Sequence, residues 1–217
     1  MRGLNTLFPY TICINLDRRP DRWAHMEAQF AWHHIGPVIR LSALNGEAVP
    51  IPAEWKDHPG SYGCLQSNLA VVRQARENRW PSVLILEDDV VFDEHLNARF
   101  SHCVRQLPSD WDMIFLGAMH REEPVRISEN VVKLTGSTST YAYALRERVY
   151  DAFLDLNGHL PRPVDLNTLI LQQQFHCYSF LPHLAWVYGD YSYSSLHSSP
   201  PARHHRGGGG AGRTLAC

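Results

Sequence analysis

Short apolar runs rich in β-formers alternate along this chain with longer stretches whose apolar residues recur every three or four positions. The run Tyr10-Thr-Ile-Cys-Ile-Asn-Leu16 predicts a buried strand. Asp17 is placed to cap the helix that follows, with Pro20 in its first turn and Trp23, Met26 and Phe30 on one apolar face. Val38-Ile-Arg-Leu41 predicts a second strand, ending at Asn45-Gly46. Past the proline-bearing stretch from Pro50 to Pro59, the spacing of Leu65, Leu69, Val72 and Ala75 predicts an amphipathic helix that stops before Pro81. Ser82-Val-Leu-Ile-Leu86 and Met113-Ile-Phe-Leu116 are further strands. Continuous apolar runs, in place of strict alternation, mean strands covered on both faces, as in a parallel sheet. Strand–helix–strand repetition therefore predicts an α/β domain over residues 1–197, with a mostly parallel central sheet and helices on both faces. No internal repeat is visible.

Composition sharpens this picture at the end of the chain. The 217 residues are 44% hydrophobic and 19% charged, with a formal net charge of −2, which leaves no basic excess for general nucleic-acid binding. From Ser198 the sequence runs SSPPARHHRGGGGAGRTLAC, whose three arginines and no acids carry +3 and leave −5 on residues 1–197. So few apolar groups cannot offset the entropy of ordering, so a flexible tail is expected over 198–217. The five cysteines are odd in number and form no CxxC, as expected of buried thiols plus one exposed thiol in the tail, in a reducing compartment. No stretch has the length and apolarity of a membrane span, and the expected location is the cytoplasm or the inner face of the membrane.

Chemistry concentrates at Glu87-Asp88-Asp89, three consecutive carboxylates that follow one apolar run and precede Val90-Val-Phe92. In an open α/β sheet, ligands sit beyond the carboxyl ends of the strands. Like charges there repel, and a divalent cation such as Mg²⁺ or Mn²⁺, which takes oxygen ligands and substrate phosphates, relieves the repulsion. A solvated turn with one acid capping the next helix is the structural alternative, and it makes Asp89 an exposed loop acid.

The motifs around the triplet extend in a fixed order. Ile12-Cys-Ile-Asn-Leu-Asp-Arg-Arg-Pro-Asp-Arg22, Leu41-Ser-Ala-Leu-Asn-Gly46, Gly63-Cys-Leu-Gln-Ser-Asn68, Leu84-Ile-Leu-Glu-Asp-Asp-Val90, Asp112-Met-Ile-Phe-Leu-Gly117, Thr140-Tyr-Ala-Tyr143 and Pro163-Val-Asp165 succeed one another. In this order the chain resembles glycosyltransferase family 25, the lipopolysaccharide and lipooligosaccharide glycosyltransferases, over about residues 10–190. The resemblance implies a GT-A (Rossmann-like) fold and inverting transfer of a hexose, galactose or glucose, from a UDP-sugar to an acceptor hydroxyl on a glycan, lipid-linked glycan, peptide or small molecule. It implies that the triplet replaces a DxD motif, with Glu87 and Asp89 at a Mn²⁺ or Mg²⁺ ion and His197 as a late metal ligand. The implied donor-binding positions are Asn15, Leu16, Asp17, Arg18, Arg22, Ala43, Asn45, Ser67, Asn68 and Asp88. Two departures stand out: the family usually has Ser-His where this chain has Ser67-Asn68, and Asp-Gly where it has Asn45-Gly46.

Inverting transfer needs a base for the acceptor hydroxyl. Asp165 is the leading candidate and Asp190 the second; the competing role for Asp165 is the N-cap of a helix from Leu166 to Gln173. His183 is a second candidate for the late metal ligand, and Tyr188, Tyr191 and Tyr193 are candidates to stack on a sugar. A non-catalytic nucleotide-sugar or glycan-binding protein and a metal-dependent phosphohydrolase are the competing functions.

Overall fold

The computed structural model describes residues 3–187. Asp190, His197, the three tyrosines at 188, 191 and 193, and the tail 198–217 lie outside the described residues. The chain opens with a short helix α1 (Leu4–Leu7), strand β1 (Thr11–Asn15), helix α2 (Pro20–His33) and strand β2 (Val38–Ser42). A single 3₁₀ turn at Gly46–Ala48 leads to helix α3 (Pro59–Glu77), then β3 (Ser82–Glu87), β4 (Val90–Phe92) and α4 (Leu96–Val104). Five strands follow: β5 (Met113–Phe115), β6 (Met119–His120), β7 (Val125–Arg126), β8 (Val131–Lys133) and β9 (Ser137–Thr138). The rest is β10 (Ala142–Arg146), α5 (Glu147–His159), α6 (Val164–Gln174), β11 (Cys177–Phe180) and β12 (Ala185–Val187).

Eight strands form one sheet in the order β2-β1-β3-β10-β5-β11-β8-β7. Six run in one direction, and only β10 and β8 oppose them. The apolar runs follow from this placement. In β1, Ile12 and Ile14 enter the core shared with α3, α5 and α6, while Cys13 enters the core shared with α1, α2 and α4. β3 divides likewise, Val83 and Ile85 to one side and Leu84 and Leu86 to the other. A strand covered on both faces has no polar side to display, so its sequence cannot alternate.

Local chemistry sets the helix starts. Pro20 and Pro59 occupy the first turns of α2 and α3, where a missing N–H costs nothing. His58 caps α3, its Nδ1 accepting from the Gly60 N–H at 2.9 Å. Asp17 does not cap α2: Arg19 stands at that position without a side-chain cap, and Asp17 instead accepts from Arg40 and Ser42 of β2. Cys13, Cys103 and Cys177 are buried free thiols. Among the described residues, no helix is long and apolar enough to cross a membrane.

Candidate active site

Parallel register brings the carboxyl ends of the first strands together. Ile14 pairs with Glu87 and Asn15 with Ser42, so the end of β1 lies between β2 and the acidic turn that joins β3 to β4. That turn is short because β4 folds back at once to pair with β12, Val90 against Val187. The consequence corrects the expectation of an exposed loop acid: Asp88 is 0% exposed, and Glu87 and Asp89 are 7% exposed each.

The three carboxylates are answered unequally. Asp88 accepts from Asn15 Nδ2 at 2.7 Å and from Arg22 Nη1 at 2.8 Å. The same Arg22 nitrogen lies 3.3 Å from Asp89 Oδ2. Asp89 Oδ1 is buried with no hydrogen-bond partner. Burial pushes the Asp89 carboxyl up to about 6, against the pull of Arg22. Glu87 is pushed well above the usual carboxylate range, first by burial and then by the charges of Asp89, Asp88 and Asp165. Burying charge without compensation is costly, and the turn holds three acids against one close arginine.

A hard cation fits this surplus in part. Asp89 Oδ1 is an unsatisfied oxygen donor, and Glu87 offers a second carboxylate beside it. Among the described residues, no three His, Cys, Asp or Glu side chains are grouped to hold a metal ion. His183 belongs to another cluster: its ring meets His120 edge-on at 5.5 Å, and its Nε2 is buried without a partner.

Beside the acids runs a groove. Leu16, Arg18, Arg19 and Arg22 line one side, Leu44, Asn45, Gly46 and Glu47 the other, and His58 and Gly60 also line it. Arg18 and Glu47, both about half exposed, face each other at 3.6 Å. Asn15 underlies the groove and does not line it. Its Nδ2 donates to Arg19 O and Asp88, and its Oδ1 accepts from Arg40 Nε and Nη2, which uses the whole amide. It therefore locks the 16–19 turn against the acidic turn. Asp17 is exposed and held below the usual carboxylate range by the Ser42 hydroxyl and Arg40.

The opposite wall is built by backbone contact with α3. A Cβ on Gly46 would lie 1.8 Å from Pro59 O, and one on Gly63 would lie 2.3 Å from Leu44 O, so both positions need glycine. Ser67 completes the seam by accepting from the Leu44 N–H at 2.9 Å and donating to Gly63 O at 2.7 Å. Ala43 and Ser67 do not line the groove but a second hollow, which shares Leu44 and Asn45 with it. Asn45 caps the 3₁₀ turn, its Oδ1 accepting from the Glu47 N–H at 3.2 Å, a role in which Asn and Asp are interchangeable. Asn68 is 0% exposed, donating to Cys64 O and accepting from the Tyr143 hydroxyl at 2.7 Å. Both departures from the family motifs thus fall on residues whose amides serve internal bonds.

Asp165 faces this edge from α6. The cap of that helix is Pro163, and Asp165 stands in the first turn, its Oδ1 accepting from the Leu166 N–H at 2.9 Å. The expected N-cap role is therefore displaced by two residues. Burial raises its carboxyl, while the Leu166 N–H and the charge of Arg121 lower it. Sequence reasoning missed Arg19, Glu47, His58, Gly60 and Arg121 at this edge. Arg19 and Glu47 adjoin motif residues and were within reach of it, whereas His58 and Arg121 stand in no motif.

The sequence pattern of glycosyltransferase family 25 (LPS biosynthesis protein) matches residues 8–135. A protein named "putative glycosyltransferase" from Acanthamoeba polyphaga mimivirus is 24% identical over 199 residues, covering 81% of this chain and 61% of its own length. The chain thus spans less than two thirds of that relative. A solved glycosyltransferase involved in the glycosylation of the major capsid of PBCV-1 superposes with a TM-score of 0.41 at 10% identity, covering 70% of this chain and 67% of that one. That likeness is too loose to carry an argument.

Proposed function

The chain belongs to glycosyltransferase family 25, and on that premise we propose that it transfers a hexose from a UDP-sugar to an acceptor hydroxyl with inversion at the anomeric carbon. The observation that carries the proposal is a buried surplus of carboxylate beside a groove lined by arginines. A nucleoside diphosphate needs both features: guanidinium groups for its phosphates, and a cation site for the charge that grows on the leaving group.

Each residue has a part in that chemistry. Arg18 and Arg19 line the groove as donors to phosphate or ribose oxygens. Arg22 fixes Asp88 and Asp89 in place, and Asn15 holds the turn against them. Asp89, with its unpartnered Oδ1, and Glu87 would hold Mn²⁺ or Mg²⁺, with His197 as the third ligand. Such an ion supplies neutralisation of charge on the departing diphosphate. Asp165, its proton affinity raised by burial, takes the proton from the acceptor hydroxyl as that oxygen attacks. The cytoplasm or the inner membrane face is the location this reading suits.

Calorimetry of UDP with and without Mn²⁺ tests the proposal. UDP should bind more tightly with the metal present, and Asp89→Ala should remove the enhancement while the protein still folds. Equal UDP affinity with and without metal in the wild type would refute the metal's part, and absence of UDP binding would refute the donor.

A further inference from the structure

The three arginines that line the groove differ in what already holds them. Arg22 donates to Asp88 at 2.8 Å. Arg19 donates through Nε and Nη2 to Asp21, at 2.9 and 2.7 Å. Arg18 has Glu47 alone, and at 3.6 Å that contact is an ion pair too long for a hydrogen bond. Among the described residues, the Arg18 guanidinium therefore keeps all its donors, and it is the groove arginine most ready to exchange its partner for an anion.

Glu47 is the unexpected member of the facing wall. A carboxylate in a cationic groove works against an anionic ligand, and folding does not ask for one here. The backbone N–H of Glu47, not its side chain, meets Asn45 in the 3₁₀ turn. A half-exposed pair at 3.6 Å adds little stability. What the charge does is make the affinity of the groove depend on the charge of its ligand.

A nucleoside diphosphate sugar carries about two negative charges at neutral pH, one on each esterified phosphate. The free diphosphate left after transfer carries about three, because its terminal phosphate ionises a second time near pH 6. Repulsion from a nearby carboxylate grows with that charge. We infer that Glu47 is a specificity-determining residue of the groove. It holds Arg18 while the groove is empty, yields it to the incoming sugar diphosphate, and repels the additional charge of the free diphosphate, which favours product release. The inference rests on the nucleotide-sugar reading above and adds the residue that ranks substrate against product.

Calorimetry on the full chain at low salt with Mn²⁺ tests it, with UDP, UDP-glucose and UDP-galactose as probes. Glu47→Gln should tighten UDP roughly five-fold or more and the two UDP-hexoses by a smaller factor, at unchanged melting temperature. Glu77→Gln, which removes an exposed acid at the far end of α3, should change none of these affinities. In an Arg18→Gln background the gain from Glu47→Gln should shrink, since no guanidinium is left to release. If UDP binds the wild type, the Glu47 inference alone falls on any of three results: unchanged UDP affinity in Glu47→Gln, an equal gain for UDP and both sugars, or an undiminished gain without Arg18. If none of the three nucleotides binds, the donor reading falls, and inorganic pyrophosphate in the same samples decides on Glu47. Tighter pyrophosphate binding in Glu47→Gln would keep its part in ranking anions by charge, and no change would remove it.

Discussion

The sheet buries aspartates at both of its ends, and the two ends treat them differently. At the amino end of β5, Asp112 is 4% exposed, accepts from the His176 N–H at 2.8 Å and pairs with Arg148. One carboxylate there meets one backbone donor and one guanidinium. At the carboxyl end of β3, three acids are buried together, Arg22 reaches only Asp88 and Asp89, and Asp89 Oδ1 has no hydrogen-bond partner. Balanced burial of this kind ties β5 to β11 and serves stability. Unbalanced burial costs stability and serves a ligand that completes the charge.

Substitutions at the two ends should therefore diverge. The largest effect belongs to Asp165→Asn, which retains hydrogen bonding but cannot accept a proton. Turnover of a UDP-hexose with acceptor should fall by roughly two to four orders of magnitude, with UDP affinity unchanged. Near-normal turnover would move the base to Asp190.

At the amino end, Asp112→Ala removes the charged acceptor of the part-buried His176 N–H and should cost about 1.5–3 kcal/mol in urea unfolding. UDP binding should survive, because the groove lies at the opposite edge. A variant as stable as the wild type would show that Asp112 is not the tie described here.

Asp89→Asn should act in the opposite sense. Because the folded-state carboxyl is raised from 3.8 to about 6, its contribution favours the folded state at low pH and is lost as pH climbs through that window. Above pH 6, in chelator, the uncharged variant should be more stable by about 1–3 kcal/mol. Matched unfolding curves at pH 4 and pH 7.5 check it: the gap between variant and wild type should open only at the higher pH. A variant less stable than the wild type at pH 7.5 would place Asp89 with Asp112 among the balanced acids.

Much of the frame was legible in the residues. β1, β3, α2 and α3 come straight from apolar runs and helical spacing, since long elements covered by a core must carry that pattern. The Glu87-Asp88-Asp89 triplet announced itself as a charge cluster after a buried strand. β6, β7 and β9, at two residues each, are too short to impose any period. Nor does a five-residue run such as β10 reveal that it inserts antiparallel between β3 and β5.

The sequence by itself determined the α/β class, the two-sided strands and the presence of acids and arginines in the right order, because each is a local pattern or a composition of neighbours. Only the tertiary structure decided what those groups experience. Register set Asn15 beside Asp88 across 73 residues of chain, and the fold-back of β4 onto β12 buried an acid expected in solvent. Close approach of two backbones turned Gly46, Gly63 and Ser67 into a seam, and α6 brought Asp165 within electrostatic reach of Glu87. Burial and charge balance arise from residues far apart in sequence, so no local pattern encodes them.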